Sequence, residues 1–199
     1  MAGSICRSAK SYLRELSELA RSIDERKIEE FAQLLLQAWR RGRRVFVFGN
    51  GGSASTASHQ VCDLVKTAAV DGQPRLKAYS LVDNVGMNTA LGNDIGYERI
   101  FVFPLETHAE PGDIAVAISA SGNSPNVVEA CAWARSHGVT VVALTGFNGG
   151  RLRHLADLHI NVNSNNYGLI EDAHLAIGHC VAQLLKSHIM AEATTVVAG

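Results

Sequence analysis

The first forty residues have the apolar spacing of two amphipathic helices. Apolar side chains recur at three- and four-residue intervals, and charged side chains fill most of the other positions. The apolar residues are Leu13, Leu16, Leu19, Ile23, Ile28, Phe31, Leu34, Leu35 and Trp39. The pattern breaks near Asp24 and ends at Gly42, a residue type that often follows a helix. We therefore expect an N-terminal helical arm over residues 1–43, which either builds an oligomer interface or covers one face of the following domain.

From residue 44 onwards, short apolar runs rich in β-branched residues alternate with segments compatible with helices. The runs cover residues 45–48, 76–82, 114–118, 139–144 and 158–162. The helical segments are 53–70, 97–108, 126–137 and 149–156, followed by a long helix at about 170–188. This alternation predicts an α/β fold with a doubly wound, flavodoxin-like parallel sheet of five strands. We expect this domain to span residues 44–190 and residues 191–199 to form a flexible tail.

Composition narrows the class of protein. The 199 residues are 47% hydrophobic, and 18 basic against 19 acidic side chains give a net charge of −1. This balance argues against non-specific nucleic-acid binding, which requires a basic face. The four cysteines are widely spaced, which argues against a disulfide framework. With no leader-like segment and no apolar run near the roughly 18 residues of a membrane span, we expect a soluble, cytoplasmic, globular protein.

Two loops rich in glycine and serine follow predicted strands at points where helices begin. The first is GNGGSA at residues 49–54, and the second is SASGNSP at residues 119–125. Ligands of open parallel sheets bind at the carboxyl ends of strands, and a helix start favours an anion. The second loop, with three hydroxyls and no P-loop lysine, is a candidate phosphate cradle. For the first loop, a tight turn that needs glycine only for steric reasons is an open alternative.

The first loop also fits a permissive dinucleotide-binding pattern. Gly49, Gly51 and Ala54 have the required spacing, and Asp83 follows the second predicted strand, where an acidic residue would bind a ribose. However, Asp83 comes later than the usual spacing of about 20 residues, and the second loop has no role in such a protein. A nicotinamide enzyme is therefore the minor alternative.

The combined motifs resemble a known family. GNGGSA at a helix start, a histidine six residues after its serine, GND followed by GYE, SxSGNSPN, and LTG followed by GG are similar to the sugar isomerase (SIS) domain. More narrowly, over about residues 44–186, they resemble the phosphoheptose isomerases. The resemblance implies conversion of sedoheptulose 7-phosphate to D-glycero-D-manno-heptose 7-phosphate. It also implies a cytoplasmic homotetramer with active sites at subunit interfaces and one Zn²⁺ per subunit.

By position, the resemblance assigns substrate binding to both loops and to an Asn-Asp pair. The residues are Asn50, Gly51, Gly52, Ser53, Asn93, Asp94, Ser119, Ala120, Ser121 and Ser124, together with Asp63 and Glu171. Ala120 stands where threonine is commoner in the family. This change leaves the backbone N–H in place and removes one hydroxyl.

Histidines and carboxylates on two predicted helices are the candidate metal ligands. His59 and Asp63 stand four residues apart on one helix face, a spacing that suits either a zinc-binding pair or a hydrogen-bonded surface pair. The resemblance implies the zinc site, with Glu171 and His179 as further ligands. Three positions depart from the family: Asp63 replaces glutamate, Glu171 replaces glutamine and Gly168 replaces aspartate. We interpret this cluster of changes as the mark of a distinct subfamily.

The implied reaction moves a proton between C1 and C2 of the sugar through an enediolate, which requires a base, an acid and stabilisation of an oxyanion. By resemblance, Asp63 removes the proton and His179 manages its delivery. His174 is either a competing metal ligand or a core histidine, and His108 could approach a neighbouring subunit's site. Two other functions stay open: an isomerase of another long-chain sugar phosphate, and a non-catalytic SIS protein that binds phosphosugars.

Overall fold

The computed structural model describes residues 8–197, with the backbone alone for residues 195–197. Five parallel strands form one sheet in the order β2-β1-β3-β4-β5. They are β1 (Arg44–Gly49), β2 (Lys77–Ser80), β3 (Ile114–Ser119), β4 (Thr140–Thr145) and β5 (Leu158–Asn161). This order confirms the predicted doubly wound fold. The strand order reverses between β1 and β3, and the crevice at the carboxyl ends of these strands is where such sheets bind ligands.

Helices cover both faces of the sheet. They are α1 (Ala9–Arg21), α2 (Glu25–Arg40), α3 (Gly52–Cys62), α4 (Val85–Asp94), α5 (Val102–His108), α6 (Pro125–Ser136) and α7 (Tyr167–Val197). The two helices of the N-terminal arm and the break near Asp24 are confirmed. The Asp24 side chain caps α2 by accepting a hydrogen bond from the backbone N–H of Arg26 at 3.2 Å. Among residues 8–197, no helix combines the length and the apolar character needed to cross a membrane.

The prediction missed one helix and placed another where the structure has none. Helix α4 was not expected, because it buries only Leu91 and therefore shows no apolar periodicity. The segment 149–156 contains only a short 3₁₀ turn, Leu152–His154, because Gly149 and Gly150 both have positive φ and keep the chain out of a helix.

The last helix is longer than predicted. Helix α7 continues to Val197, so residues 191–197, which we expected in a flexible tail, are helical; residues 198 and 199 lie outside the described part. An ion pair explains part of this extension. The Arg40 Nε group of α2 donates to Glu192 Oε1 at 2.8 Å and fastens the end of α7 to the N-terminal arm.

Both faces of the sheet are buried, and β1 shows how the sequence achieves this. Val45 and Val47 belong to the cluster packed against α2, α3 and α7, whereas Phe46 and Phe48 belong to the cluster packed against α5 and α6. Successive residues of a strand point to opposite faces, so a strand buried on both sides is a continuous apolar run. This explains why the strands were recognisable from the sequence.

Backbone packing fixes the loop after β3. A Cβ atom at Gly122 would lie 2.1 Å from the carbonyl oxygen of Gly149, and one at Gly150 would lie 2.4 Å from that of Ser121. Both glycines have positive φ, and the amide of Leu152 donates to the carbonyl of Gly122 at 3.1 Å. Only glycine combines this conformation with so close an approach. The turn after β4 therefore sets the shape of residues 119–125.

We expect Gly122→Ala to lower the free energy of unfolding more than Gly72→Ala does. Both glycines have positive φ, but the Cβ position at Gly72 has no atom within 4 Å. Alanine at Gly72 should cost about 1 kcal/mol for the left-handed backbone. Overlap with the Gly149 carbonyl should add about 1–3 kcal/mol at Gly122. Urea unfolding measures both losses, and equal losses would contradict this account of the loop.

Candidate active site

The two glycine- and serine-rich loops lie side by side at the carboxyl ends of β1 and β3. They border a cavity of about 270 Å³. Its lining contains every loop residue that the sequence analysis assigned to substrate binding, and adds Tyr167 and Glu171 from the start of α7. The lining residues are Asn50, Gly51, Gly52, Ser53, Ser119, Ala120, Ser121, Ser124, Tyr167 and Glu171.

Two helix N-termini adjoin this cavity. Helix α3 begins at Gly52 and α6 begins at Pro125, directly after Ser124. Gly51, the N-cap residue of α3, has no side chain, and the Ser124 side chain at the N-cap of α6 makes no capping hydrogen bond. The unpaired N–H groups of a helix start and its partial positive charge stabilise anions. The cavity therefore has the chemistry of a phosphate site.

Asn50 joins the two loops through its side chain. Its Nδ2 group donates to Asn126 Oδ1, and its Oδ1 accepts from Asn126 Nδ2, both at 2.9 Å. Tyr97 Oη donates to the same Oδ1 atom at 3.0 Å. Asn126 is only 1% exposed, so this amide pair is held inside the protein. Asn50 was a predicted site residue, whereas Asn126 and Tyr97 were not, although they lie in the SGNSPN and GYE motifs.

Three predicted metal ligands converge where α3 and α7 meet. The Nε2 atoms of His59 and His179 are 2.8 Å apart. Asp63 Oδ2 lies 3.3 Å from His59 Nε2 and 3.4 Å from His179 Nε2. The Asp63 side chain is only 14% exposed, whereas each histidine side chain is almost half exposed. The fold thus brings these three side chains together, from positions up to 120 residues apart in the chain.

The donor atoms of this cluster fit a zinc ion. Imidazole nitrogen and carboxylate oxygen are usual zinc ligands at about 2.0–2.2 Å, and a tetrahedral ion with such bonds holds its donors about 3.3 Å apart. The separations in this cluster are 2.8, 3.3 and 3.4 Å. Three protein ligands also leave one position for a substrate, as in catalytic zinc sites.

Glu171 lies apart from this cluster of possible ligands. The ligand atoms that lie within 4.8 Å of one another are those of His59, Asp63 and His179. The Glu171 carboxylate instead covers Gly52, where a Cβ atom would lie 2.3 Å from Glu171 Oε2. Gly52 therefore leaves room for this carboxylate at the start of α3, where the helix dipole favours a negative charge.

The predicted Asn-Asp pair lies at the end of α4. Asn93 Nδ2 donates to Asp94 Oδ1 at 2.7 Å, and both residues are exposed. Neither is among the residues that line the cavity between the loops. Their assignment to substrate binding stays a prediction.

Gly168 makes room for the N-terminal arm. A Cβ atom at Gly168 would lie 3.0 Å from Tyr12 Oη, which donates to Asp172 Oδ2 at 2.6 Å. Helix α1 therefore reaches the start of α7, next to Glu171. The apolar spacing of the arm could not reveal this polar contact, because it joins residues 160 positions apart.

His174 is a core histidine. It is fully buried, and its Nε2 group lies 3.1 Å from the carbonyl oxygen of Thr145, the last residue of β4. Burial lowers the pKa of His174 to about 4, because it disfavours the charged imidazolium. A neutral ring that donates to this carbonyl fixes α7 on the end of the sheet. His108 lies at the end of α5 and lines a separate cavity of about 540 Å³ with Arg44 and Glu110.

Known proteins match this chain over most of its length. A profile of the SIS domain matches residues 10–146. The phosphoheptose isomerase of Mycobacterium tuberculosis is 41% identical over 178 residues, which cover 89% of this chain and 86% of the relative. That of Sulfurimonas denitrificans is 34% identical over 188 residues, which cover 92% of this chain and 96% of the relative.

Solved structures have the same fold. The phosphoheptose isomerases of Neisseria gonorrhoeae and Francisella tularensis each superpose with a TM-score of 0.83 at 29% sequence identity. The superpositions cover 89% of this chain and 96% and 94% of the two known structures, respectively. The similarity therefore includes the arm as well as the sheet.

The low pKa of His174 makes folding stability depend on pH. The unfolded chain takes up a proton on this residue below its ordinary pKa of about 6.5, whereas the folded protein does so only near pH 4. The contribution of His174 to the free energy of unfolding is therefore complete above pH 6.5. It is lost as the pH falls towards 4, and the total loss is about 3 kcal/mol. We expect the free energy of unfolding of His174→Gln to fall less between pH 7 and pH 4.5 than that of the wild type.

Urea unfolding at several pH values measures this difference, with His188→Gln as the matched control because His188 is a partly exposed histidine on the same helix. If the pH profiles of wild type and His174→Gln run parallel, the neutral buried imidazole is refuted.

Proposed function

The chain belongs to the phosphoheptose isomerases of the SIS-domain family, and on that premise we propose how its own residues carry out the reaction. It is a sugar-phosphate isomerase that interconverts sedoheptulose 7-phosphate and D-glycero-D-manno-heptose 7-phosphate. The observation that supports the mechanism most strongly is the convergence of His59, Asp63 and His179. His59 lies on α3, Asp63 directly after it and His179 on α7, and the first residues of these two helices border the loop cavity.

The loop cavity binds the phosphate end of the substrate. Ser119, Ser121 and Ser124 bring hydroxyl groups to it, and the starts of α3 and α6 bring N–H groups and a positive dipole end. Binding energy from a phosphate group remote from the reacting carbons can orient the reacting end of the molecule. Glu171, in the same cavity, accepts hydrogen bonds from sugar hydroxyls.

The spacing along the two helices supports a long substrate. His59 is seven residues beyond Gly52 on α3, and His179 is eight residues beyond Glu171 on α7. At 1.5 Å per residue, these intervals are about 10–12 Å along each helix axis. An extended seven-carbon sugar phosphate has a comparable length from its phosphate to its first carbons. The phosphate can therefore occupy the loops while C1 and C2 reach the cluster.

The acid–base chemistry takes place at the cluster. Asp63 removes the proton from the carbon next to the carbonyl group, because its Oδ2 atom is directed towards the two imidazoles in a largely buried position. His179 is the second acid–base group, which moves protons to and from the substrate at the other carbon or oxygen of the enediolate. His59 completes the cluster from the preceding turn of α3.

His59, Asp63 and His179 would hold a Zn²⁺ ion, with one ion per chain. When bound, it would act as a Lewis acid that polarises the substrate carbonyl and hydroxyl. Glu171, which the sequence analysis also assigned to the metal, lies outside the group of three. We therefore assign Glu171 to the substrate cavity, where its charge distinguishes this chain from relatives with an amide at that position.

Membership of this family decides against a nicotinamide enzyme. Asp83, which would bind the ribose in such an enzyme, accepts a hydrogen bond from Ser58 of α3. A purely regulatory phosphosugar binder has no need of three convergent metal-type donors. Another long-chain sugar phosphate stays the second candidate substrate, because the Glu171 carboxylate and Gly168 alter the surroundings of the cavity.

The proposed assembly is a homotetramer, and the proposed compartment is the cytoplasm. Leu13 on α1, Tyr97 and Tyr167 are 57–64% exposed, which leaves apolar surface for a second copy on the arm and beside the cavity. The described cysteines Cys62, Cys131 and Cys180 are free thiols, as is usual in a reducing compartment. Sedimentation velocity that finds only monomers would contradict the tetramer.

We expect Asp63→Asn to reduce kcat for sedoheptulose 7-phosphate by about 10²–10⁴-fold, because the amide cannot accept the proton. Asp71→Asn should leave kcat unchanged, since Asp71 is exposed in the turn before β2. Chromatographic detection of the aldose product, with circular dichroism to confirm folding, measures the effect. Unchanged turnover in both Asp63→Asn and His179→Ala would remove the proposed acid–base pair.

A further inference from the structure

The helix that holds His59 changes its winding at Asp63. Helix α3 ends at Cys62, and the chain continues as a π-turn, Asp63–Thr67, in which the amide of Ala68 donates to the carbonyl of Asp63 at 2.8 Å. This hydrogen bond spans five residues instead of four, so the turn is wider than in an α-helix. Such turns are rare and occur frequently at functional sites.

Thr67, the last residue of this turn, makes an unusual hydrogen bond. Its hydroxyl donates to Asp63 Oδ1 at 2.8 Å. The other threonines whose side chains are described in α-helices all donate to the backbone carbonyl four residues earlier, as is common for this residue type. These are Thr56, Thr89, Thr107 and Thr194, at 3.2, 2.8, 3.0 and 2.9 Å. Among these helical threonines, Thr67 is the one whose hydroxyl donates to a side chain, and it is also the one with a carboxylate four residues earlier.

This hydrogen bond gives the two oxygens of the Asp63 carboxylate different partners. Oδ1 accepts from Thr67, while Oδ2 is the atom that lies 3.3 and 3.4 Å from the two imidazole nitrogens. An aspartate without such a partner can rotate about its last torsion and exchange its two oxygens. One fixed donor on Oδ1 keeps Oδ2 directed at His59 and His179.

We propose that Thr67, at the end of the π-turn, is a positioning residue that orients the Asp63 carboxylate for metal binding and proton removal. Partners of this kind, which bind a ligand side chain rather than the metal, typically change metal affinity 10–100-fold when they are removed. The inference rests on the proposed function of the His59, Asp63 and His179 cluster.

The test compares zinc affinities, measured by competition with a chromophoric chelator on the full-length protein. Thr67→Val removes the hydroxyl at nearly constant volume and should weaken zinc binding about 10–100-fold. Thr67→Ser retains the donor and should stay close to wild type. Thr89→Val is the matched control, because it removes a hydroxyl that donates only to backbone in α4, and should leave zinc affinity unchanged.

A double-mutant cycle separates positioning from general destabilisation. In an Asp63→Asn background, Thr67→Val should cause no further loss of zinc affinity, because the oriented carboxylate is already gone. A merely structural Thr67 would lower affinity by the same factor in both backgrounds, and would lower the Tm of the metal-free protein. If Thr67→Val does not fold, Thr67→Ala gives the same comparison without the second methyl group.

The outcomes distinguish this inference from the proposed function. If the wild type binds zinc, His59→Ala abolishes that binding and Thr67→Val binds as tightly as wild type, the role of Thr67 is overturned and the metal site stands. If the wild type binds zinc no more tightly than His59→Ala, the proposed metal site fails, and the inference fails with it.

Discussion

The proposed chemistry depends on the contact between α3 and α7, which brings two imidazoles and a carboxylate together. Each helix is held by a different part of the sheet. Helix α3 starts directly from the loop after β1, whereas α7 is tied to the end of β4 by the bond between His174 and the Thr145 carbonyl. Because the two anchors are independent, the 2.8 Å approach of His59 to His179 requires the whole core to be in place. A buried neutral histidine thus helps to position an exposed one five residues later.

Under the proposed function, the same two helices let one short domain bind one end of a molecule and react at the other. Their first turns meet the serine loop at the topological switch point, where helix dipoles favour a phosphate. The titratable cluster lies further along the two helices, with His59 near the third turn of α3, Asp63 directly after α3 and His179 in the fourth turn of α7. The distance between binding and chemistry is therefore set by helical rise rather than by flexible loops, which suits a substrate of fixed length. Tyr12 of the arm and Asp172 add a further tie at the start of α7.

The sequence predicts the parts of the structure that repeat or pack. Strands buried on both faces are continuous apolar runs, and the two helices of the arm have clear periodicity, so the sheet and α1 and α2 were predictable. The convergence of His59, Asp63 and His179 followed from the family resemblance. Helix α4 could not be predicted from apolar periodicity, because it buries a single leucine. Three further features could not be predicted, because they depend on contacts and backbone winding that leave no periodic pattern. They are the separation of Glu171 from the cluster, the burial of His174 and the π-turn at Asp63.

The most direct test of this account is proton NMR of sedoheptulose 7-phosphate incubated with the zinc-loaded protein in deuterated buffer. Isomerisation through an enediolate exchanges the transferred proton with solvent to some extent. The account predicts anomeric signals of an aldose that carries deuterium at C2, absent when Asp63→Asn replaces the wild type. A ketose that stays unchanged, with no exchange of its C1 protons, would contradict the proposed isomerase.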